Sequence, residues 1–157
     1  MMFVPGDPRF DEILKLAVQA IAQKLRDQDR PRWRELVMLL LGELIDRGHV
    51  PERRRALRAA LEVEVDILAP EEVASLATSS IGAGGLALRI KEILPIGTLL
   101  DLSIKLEQRS IPLFARAQVV YSRPGEVGAA FVDLFQSDRE MLEGLAVTAL
   151  LASAALE

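Results

Sequence analysis

From Asp7 to Arg26 the apolar residues Phe10, Ile13, Leu14, Ala17, Val18, Ile21 and Leu25 recur at i, i+3, i+4, i+7 spacing, which gathers them on one stripe of a helix. Asp7 is placed to accept from a free amide of the first turn, and Pro8 suits the first helical position because its missing N–H would go unused there. The polar stretch Asp27–Pro31 interrupts the pattern. Trp33, Leu36, Val37, Leu40, Leu41, Leu44 and Ile45 then predict a second helix with a broad apolar face, closed by Gly48 in the left-handed conformation past its end.

Past Pro51 the period changes from 3.6 to 2. Leu61, Val63, Val65 and Ile67 alternate with Glu62, Glu64 and Asp66, the signature of a half-buried strand. Leu86, Leu88 and Ile90 predict another, Leu100, Leu102, Ile104 and Leu106 a third, with Pro95 and Gly97 turning the chain between them. Ile111–Tyr121 and Glu126–Leu134 read as a hairpin joined by Ser122-Arg123-Pro124-Gly125. Ser79 to Gly85 reads as a turn of small residues leading into a strand. Ser137-Asp138-Arg139-Glu140 has the S-x-x-E form of a capping box, opening a helix through Met141, Leu142, Leu145 and Ala146 to about Ala155. The predicted fold class is α+β, with the antiparallel strands closing as a small barrel. The domain reading is a helical extension over 1–48, an Arg-rich linker over 49–60, and the barrel with its C-terminal helix over 61–157; the final Leu156-Glu157 reads as a cloning remnant.

Composition narrows the chemistry. An apolar content of 50% in 157 residues excludes a disordered chain. With 19 basic and 23 acidic side chains the net charge is −4, so no global positive field drives binding to nucleic acid or an anionic membrane. There is no cysteine and His49 is the lone histidine, which removes disulfides, thiolate nucleophiles, zinc-finger sites and His-centred triads. Asp66, Asp101 and Asp133 lack the spacing of an acid/base pair. The expectation is therefore a non-enzyme with no catalytic residue and no metal. The first residues carry no basic segment followed by an apolar one, and the longest apolar run, Leu36–Leu41, is far short of the roughly 20 residues of a spanning helix. A soluble cytoplasmic chain without membrane insertion is expected.

Against this acidic background, Glu52-Arg53-Arg54-Arg55-Ala56-Leu57-Arg58 is the local anomaly. Guanidinium groups fork onto phosphate oxygens, stack on bases and pair with guanine O6 and N7, so the cluster suits a phosphorylated purine. The bland alternative is a solvated run whose arginines pair with the chain's carboxylates. The small-residue segment Ser79 to Gly85 can bring backbone amides close to an anion, but it lacks the strand–turn–helix setting of a P-loop or a dinucleotide fingerprint.

The order of segments resembles the PilZ domain, the bacterial receptor family for cyclic diguanylate. The resemblance runs from about Arg53 to Val147 and rests on Arg54-x-x-x-Arg58, the Ser80–Gly85 segment, Leu94-Pro95-Ile96-Gly97-Thr98, Ala117-Gln118-Val119-Val120-Tyr121-Ser122 and Val127-Gly128-Ala129-Ala130-Phe131. It implies a six-stranded antiparallel barrel. It also implies a ligand held between the RxxxR pair, here Arg54 and Arg58, and a D/NxSxxG turn, with Arg53 and Arg55 as further candidates. In that second motif Gly85 matches, while Ser80 stands for the Asp or Asn and Gly82 for the serine. Each hydrogen bond lost by those changes costs about 0.5–1.5 kcal/mol, so two reduce affinity by about one to three decades. Two functions follow. One is a cyclic diguanylate receptor, with Arg54, Arg58, Ser80, Gly82 and Gly85 at the ligand, signalling by rearrangement to an unidentified protein partner. The other is a degenerate scaffold that binds no nucleotide and assembles motility or pilus machinery. The N-terminal helices lie outside the resemblance, and the breadth of their Leu36–Leu41 run points to a homo-oligomer formed through them.

Overall fold

The computed structural model describes residues 2–51 and 54–155; Arg53 and the Leu156-Glu157 pair lie outside the described residues. Helix α1 runs Pro8–Ile21, α2 Arg30–Asp46 and α3 Gln136–Ala155; the strands are β1 (Arg58–Ala59), β2 (Glu64–Ala69), β3 (Val73–Gly82), β4 (Gly85–Arg89), β5 (Leu99–Lys105), β6 (Leu113–Arg123) and β7 (Glu126–Asp133).

The local signals act as their chemistry requires. Asp7 caps α1 by accepting from the Arg9 amide at 2.8 Å, with Pro8 in the first turn. Gly48 closes α2 at φ +74°, with its amide on the Ile45 carbonyl and the His49 amide on the Leu44 carbonyl, the paired bonds of a Schellman motif. α1 is shorter than its apolar stripe, because Gln23 turns left-handed at φ 59° just past the helix, and part of the polar break, Asp27–Asp29, forms a 3-10 turn that feeds α2.

Strands β3, β2, β5, β6, β7 and β4 pair antiparallel in that order, and β4 closes on β3, giving a six-stranded barrel; β1 adds to the far end of β3. Side chains alternate across this wall. Ile81, Leu86, Ala129 and Val119 form one cross-strand row and point inward, where they join Leu88, Leu100, Leu102, Ile104 and Leu113 in a dry core. One correction concerns Ser79–Gly85. Strand β3 continues to Gly82, so Ser80 and Gly82 sit on a strand and the turn is only Ala83-Gly84. Thr78, fully buried, patches the irregular β2–β3 edge by donating to the Leu61 carbonyl at 2.6 Å and accepting from the Val63 amide at 2.9 Å.

Helix α3 is apolar on two sides and serves two cores. Met141 and Leu142 close the barrel, while Ala146, Val147 and Leu151 pack with Ile13, Ala17, Trp33, Leu36 and Leu40 of α1 and α2, and with Leu57 and Ala59. The Leu36–Leu41 run is therefore largely buried inside the chain, with Met38 its exposed exception. α1 crosses α3 at Gly144, where a Cβ would lie 2.9 Å from Ile21 Cγ1 and 3.1 Å from the Ala17 carbonyl oxygen. The predicted capping box is a second correction. α3 begins at Gln136, one residue before the expected cap, and Glu140 takes Arg30 of α2 in a two-pronged bond of 2.7 and 3.2 Å. Asp138 accepts from Gln23 and from Arg109, each at 2.8 Å, tying α1 and the β5–β6 loop to the start of α3.

Trp33 donates its Nε1–H to Glu143 Oε1 at 3.3 Å in the helical core. Burial raises the Glu143 carboxyl above its ordinary 4.5, with Glu140 adding to the rise and the Trp33 bond, Arg139 and Arg34 opposing it. The native state thus holds this proton more tightly than the unfolded chain. Its contribution to stability falls as pH climbs from about the unfolded value through the raised one. Glu12 and Glu126, held low by hydrogen bonds from Arg32 and Arg123, act in the opposite sense, stabilising above their unfolded values and losing that support as pH drops. Glu143→Gln keeps an acceptor for Trp33 and removes the charge. In urea titrations from pH 4 to 8 this variant gains stability over wild type at neutral pH, and the gain shrinks toward the acid end; a gain independent of pH would refute the assignment.

Candidate functional site

The Arg-rich segment is fixed by a close backbone approach. Arg58 pairs with Gly82 and Ala59 with Ile81 in the β1–β3 ladder. A Cβ on Gly82 would stand 1.9 Å from the Leu57 carbonyl oxygen and 3.0 Å from Arg58 Cα. Only glycine admits the segment at this distance. Gly85 does the same for the barrel wall, where a Cβ would fall 2.2 Å from the Ala129 carbonyl oxygen of β7. Gly84 is exposed, and its own added Cβ would meet only Ala56 Cβ at 3.3 Å.

The segment's side chains divide between two environments. Leu57 and Ala59 are buried in the helical core. Arg54 and Arg58 are half-buried, Arg55 is exposed, and together they line an open cleft of ≈ 380 Å³ with Pro51, Leu57 and Gly84. Arg54 Nε is buried with no hydrogen-bond partner. Burial and the neighbouring Arg54 guanidinium hold Arg58 below its ordinary value, with Tyr121 and Glu126 pulling the other way. Among the described residues, neither Arg54 nor Arg58 makes an ion pair, whereas Arg30, Arg32, Arg109, Arg116 and Arg123 each sit on a carboxylate.

Beside the cleft, the outward row across β3, β4, β7 and β6 is Ser80, Ala87, Gly128 and Tyr121. Three of its four members are small. The Tyr121 ring occupies the space over Gly128, where a Cβ would lie 2.0 Å from its Cε1. Arg123 covers the ring from 5.0 Å. Glu126 gathers this corner, accepting from Arg123 at 2.6 and 2.9 Å, Ser79 Oγ at 3.0 Å and the Tyr121 hydroxyl at 3.3 Å. These bonds, led by Arg123, hold Glu126 low.

The structure therefore brings Arg54 and Arg58 together at one cleft and sets Gly82 directly beneath their segment, with Ser80 two residues back along β3 and Gly85 at the start of β4. Arg53 lies outside the described residues. Tyr121, Gly128 and Glu126 were not among the residues singled out for the site. Their signal was the hairpin itself: counting back from Pro124-Gly125 pairs Arg123 with Glu126 and Tyr121 with Gly128. Among the described residues no group of three or more His, Asp or Glu is arranged to hold a metal ion, and no helix is long and apolar enough to cross a membrane.

A closed six-stranded barrel with an arginine-bearing segment lying on one hairpin defines a specific class of small domain. The PilZ domain family model matches residues 52–147, and the chain belongs to that family, whose members are ligand-binding regulatory modules. Among solved structures the chain is similar to the Bacillus subtilis inhibitor of motility MotI/DgrA, at 20% identity and a TM-score of 0.57, over 64% of this chain and 53% of that one. It is also similar to the PilZ domain with c-di-GMP of YcgR from Escherichia coli, at 10% identity and a TM-score of 0.51, over 65% of this chain and 95% of that one. These likenesses are of fold, and the chain spans about half the length of MotI/DgrA. No curated protein matches it.

Restoring a side chain at position 82 tests the seat of β1. Gly82→Ser forces the Leu57 carbonyl away and loosens the segment, at a cost of about 1–3 kcal/mol, while Gly84→Ala costs little. Trypsin is expected to cut after Arg54, Arg55 and Arg58 several-fold faster in Gly82→Ser than in wild type, with the circular dichroism of the barrel unchanged. Equal cleavage rates would show that the close approach does not restrain the segment.

Proposed function

We propose that the chain is a cyclic diguanylate receptor in which Arg54 and Arg58 clamp the ligand's phosphates against the outer face of the β3–β4 hairpin. One observation carries the reading: two neighbouring half-buried guanidinium groups, one with an unpartnered buried Nε, share a cleft whose described lining includes no carboxylate. A phosphate diester supplies both the negative charge and the acceptors they lack. Ser80 offers a hydroxyl at the same face and Gly82 a small surface, in place of the acid or amide and the serine of the family pattern. Arg55 reaches the ligand from the cleft's exposed rim, and Arg53 is a further candidate. Gly85 serves by letting β4 and β7 close up behind the site.

Signalling uses the segment's two-sided attachment. Drawing Arg54 and Arg58 onto a ligand pulls on Leu57 and Ala59, which belong to the core shared by α1, α2 and α3. The output is a change in the surface shown to a protein partner. Likeness to an inhibitor of motility directs the search for that partner to motility machinery. The protein acts in the cytoplasm, without metal or catalysis.

A second reading, a scaffold that binds no nucleotide, is favoured by the Leu57 carbonyl that already covers Gly82. Calorimetric titration with cyclic diguanylate at near-physiological salt, with GTP as control, separates the two. The receptor reading expects selective binding at low micromolar or tighter. Two charge-assisted contacts at about 1.5–3 kcal/mol each make the Arg54→Ala/Arg58→Ala variant weaker by about 100-fold or more. Binding undiminished in that variant sinks the clamp, and no heat from wild type near millimolar ligand leaves the scaffold.

A further inference from the structure

The barrel carries a second surface, away from the arginine cleft, that no element of the described residues covers. On the outside of β5, β6 and β7 lies an open groove of ≈ 560 Å³. Phe114 is 60% exposed, Val132 55% and Phe135 80%, and Leu68 of β2 borders them at 46%. Two of the chain's five phenylalanines thus stand in water on one patch. Clustered aromatic and aliphatic side chains of this kind are the anchors of protein contacts.

Charges crossing the patch indicate what covers it. Asp101, Arg116 and Asp133 form one cross-strand row over β5, β6 and β7. Arg116 donates its Nε–H to Asp101 at 2.9 Å, and among the described residues Asp133 makes no ion pair. The row reads minus, plus, minus. Laid on an identical row by a two-fold axis and offset by one strand, it sets each Arg116 against the other copy's Asp133. The two contacts are equivalent, as a closed symmetric dimer requires. A uniformly acidic or basic partner would meet a like charge in the same row.

We propose that this face docks a second copy of the chain, with Phe114, Val132 and Phe135 at the centre and reciprocal Arg116–Asp133 pairs at the rim. On the helices Leu36, Val37, Leu40 and Leu41 are buried internally, and the exposed large apolar side chains among the described residues there are Val18 and Met38.

Sedimentation velocity from low to several hundred micromolar, on the full chain, tests it. Wild type is expected to pass from monomer to dimer. Phe114→Glu and Phe135→Glu, both at exposed positions, give monomers with unchanged circular dichroism. Arg116→Asp or Asp133→Arg alone weakens the dimer about tenfold or more by setting like charges together, and the two combined restore it to within about threefold. A wild type that stays monomeric overturns the proposal. So does a dimer indifferent to both phenylalanine variants, or one abolished by Val18→Glu or Met38→Glu on the exposed helix positions.

Discussion

The arrangement depends on a main-chain contact at a residue with no side chain. Gly82 lets the Leu57 carbonyl and the Arg58 backbone lie against β3 at a distance that any Cβ would forbid. That contact converts a segment whose composition reads as a solvated linker into a strand held at fixed height over the barrel. Alternation along an extended chain does the rest. Leu57 and Ala59 go into the helical core, and Arg58 goes to the cleft, so one short stretch is answerable both to the helices and to the barrel face.

Charge distribution gives that geometry its meaning. The protein is acidic overall, and several of its guanidinium groups sit on carboxylates: Arg30 on Glu140 between helices, Arg109 on Asp138 at the start of α3, Arg123 on Glu126 in the hairpin. Among the described residues, Arg54 and Arg58 make no such pair. They lie close enough to repel, are partly withdrawn from water, and Glu126 is already engaged by Arg123. Gathering like charges at half-buried positions is unfavourable without an anion. The cleft therefore has its strongest electrostatic preference where the fold has placed its least satisfied groups.

Much of this was legible in the sequence, for reasons that can be assigned. α1, α2 and the hairpin at Pro124-Gly125 were readable because the residues that set them act locally: Asp7 on an amide two residues on, Gly48 and Gly125 through positive φ. Arg54 and Arg58 were readable as a local excess of charge. Strand β3 was not. Many of its residues are small, a bulge falls between Thr78 and Ser80, and Ser75 turns to φ 59° with its amide bound to Asp66 Oδ1 at 2.7 Å, so the two-residue period is broken. Its small outward residues make sense only once β1 lies over its end, a tertiary fact. Glu140 illustrates the same limit: the S-x-x-E spacing suggests a local cap, but the carboxylate is taken by Arg30, 110 residues away. The double duty of α3 was equally hidden, since a helix apolar on two sides gives no sign of which partner each side meets.

The most direct test is amide hydrogen exchange on the intact chain, free and saturated with cyclic diguanylate. The account predicts protection without ligand at Arg58, Ala59 and Ile81, where β1 meets β3, slower exchange on binding across 54–59 and 79–87, and a further change in the helical core around Trp33, Leu36 and Val147 through Leu57. Protection that rises elsewhere while 54–59 and 79–87 are unaffected would place the ligand away from the arginine cleft. Free-state exchange at 58, 59 and 81 as fast as in an unfolded peptide would mean that β1 is not held on Gly82, and the link between the two cores would fall with it.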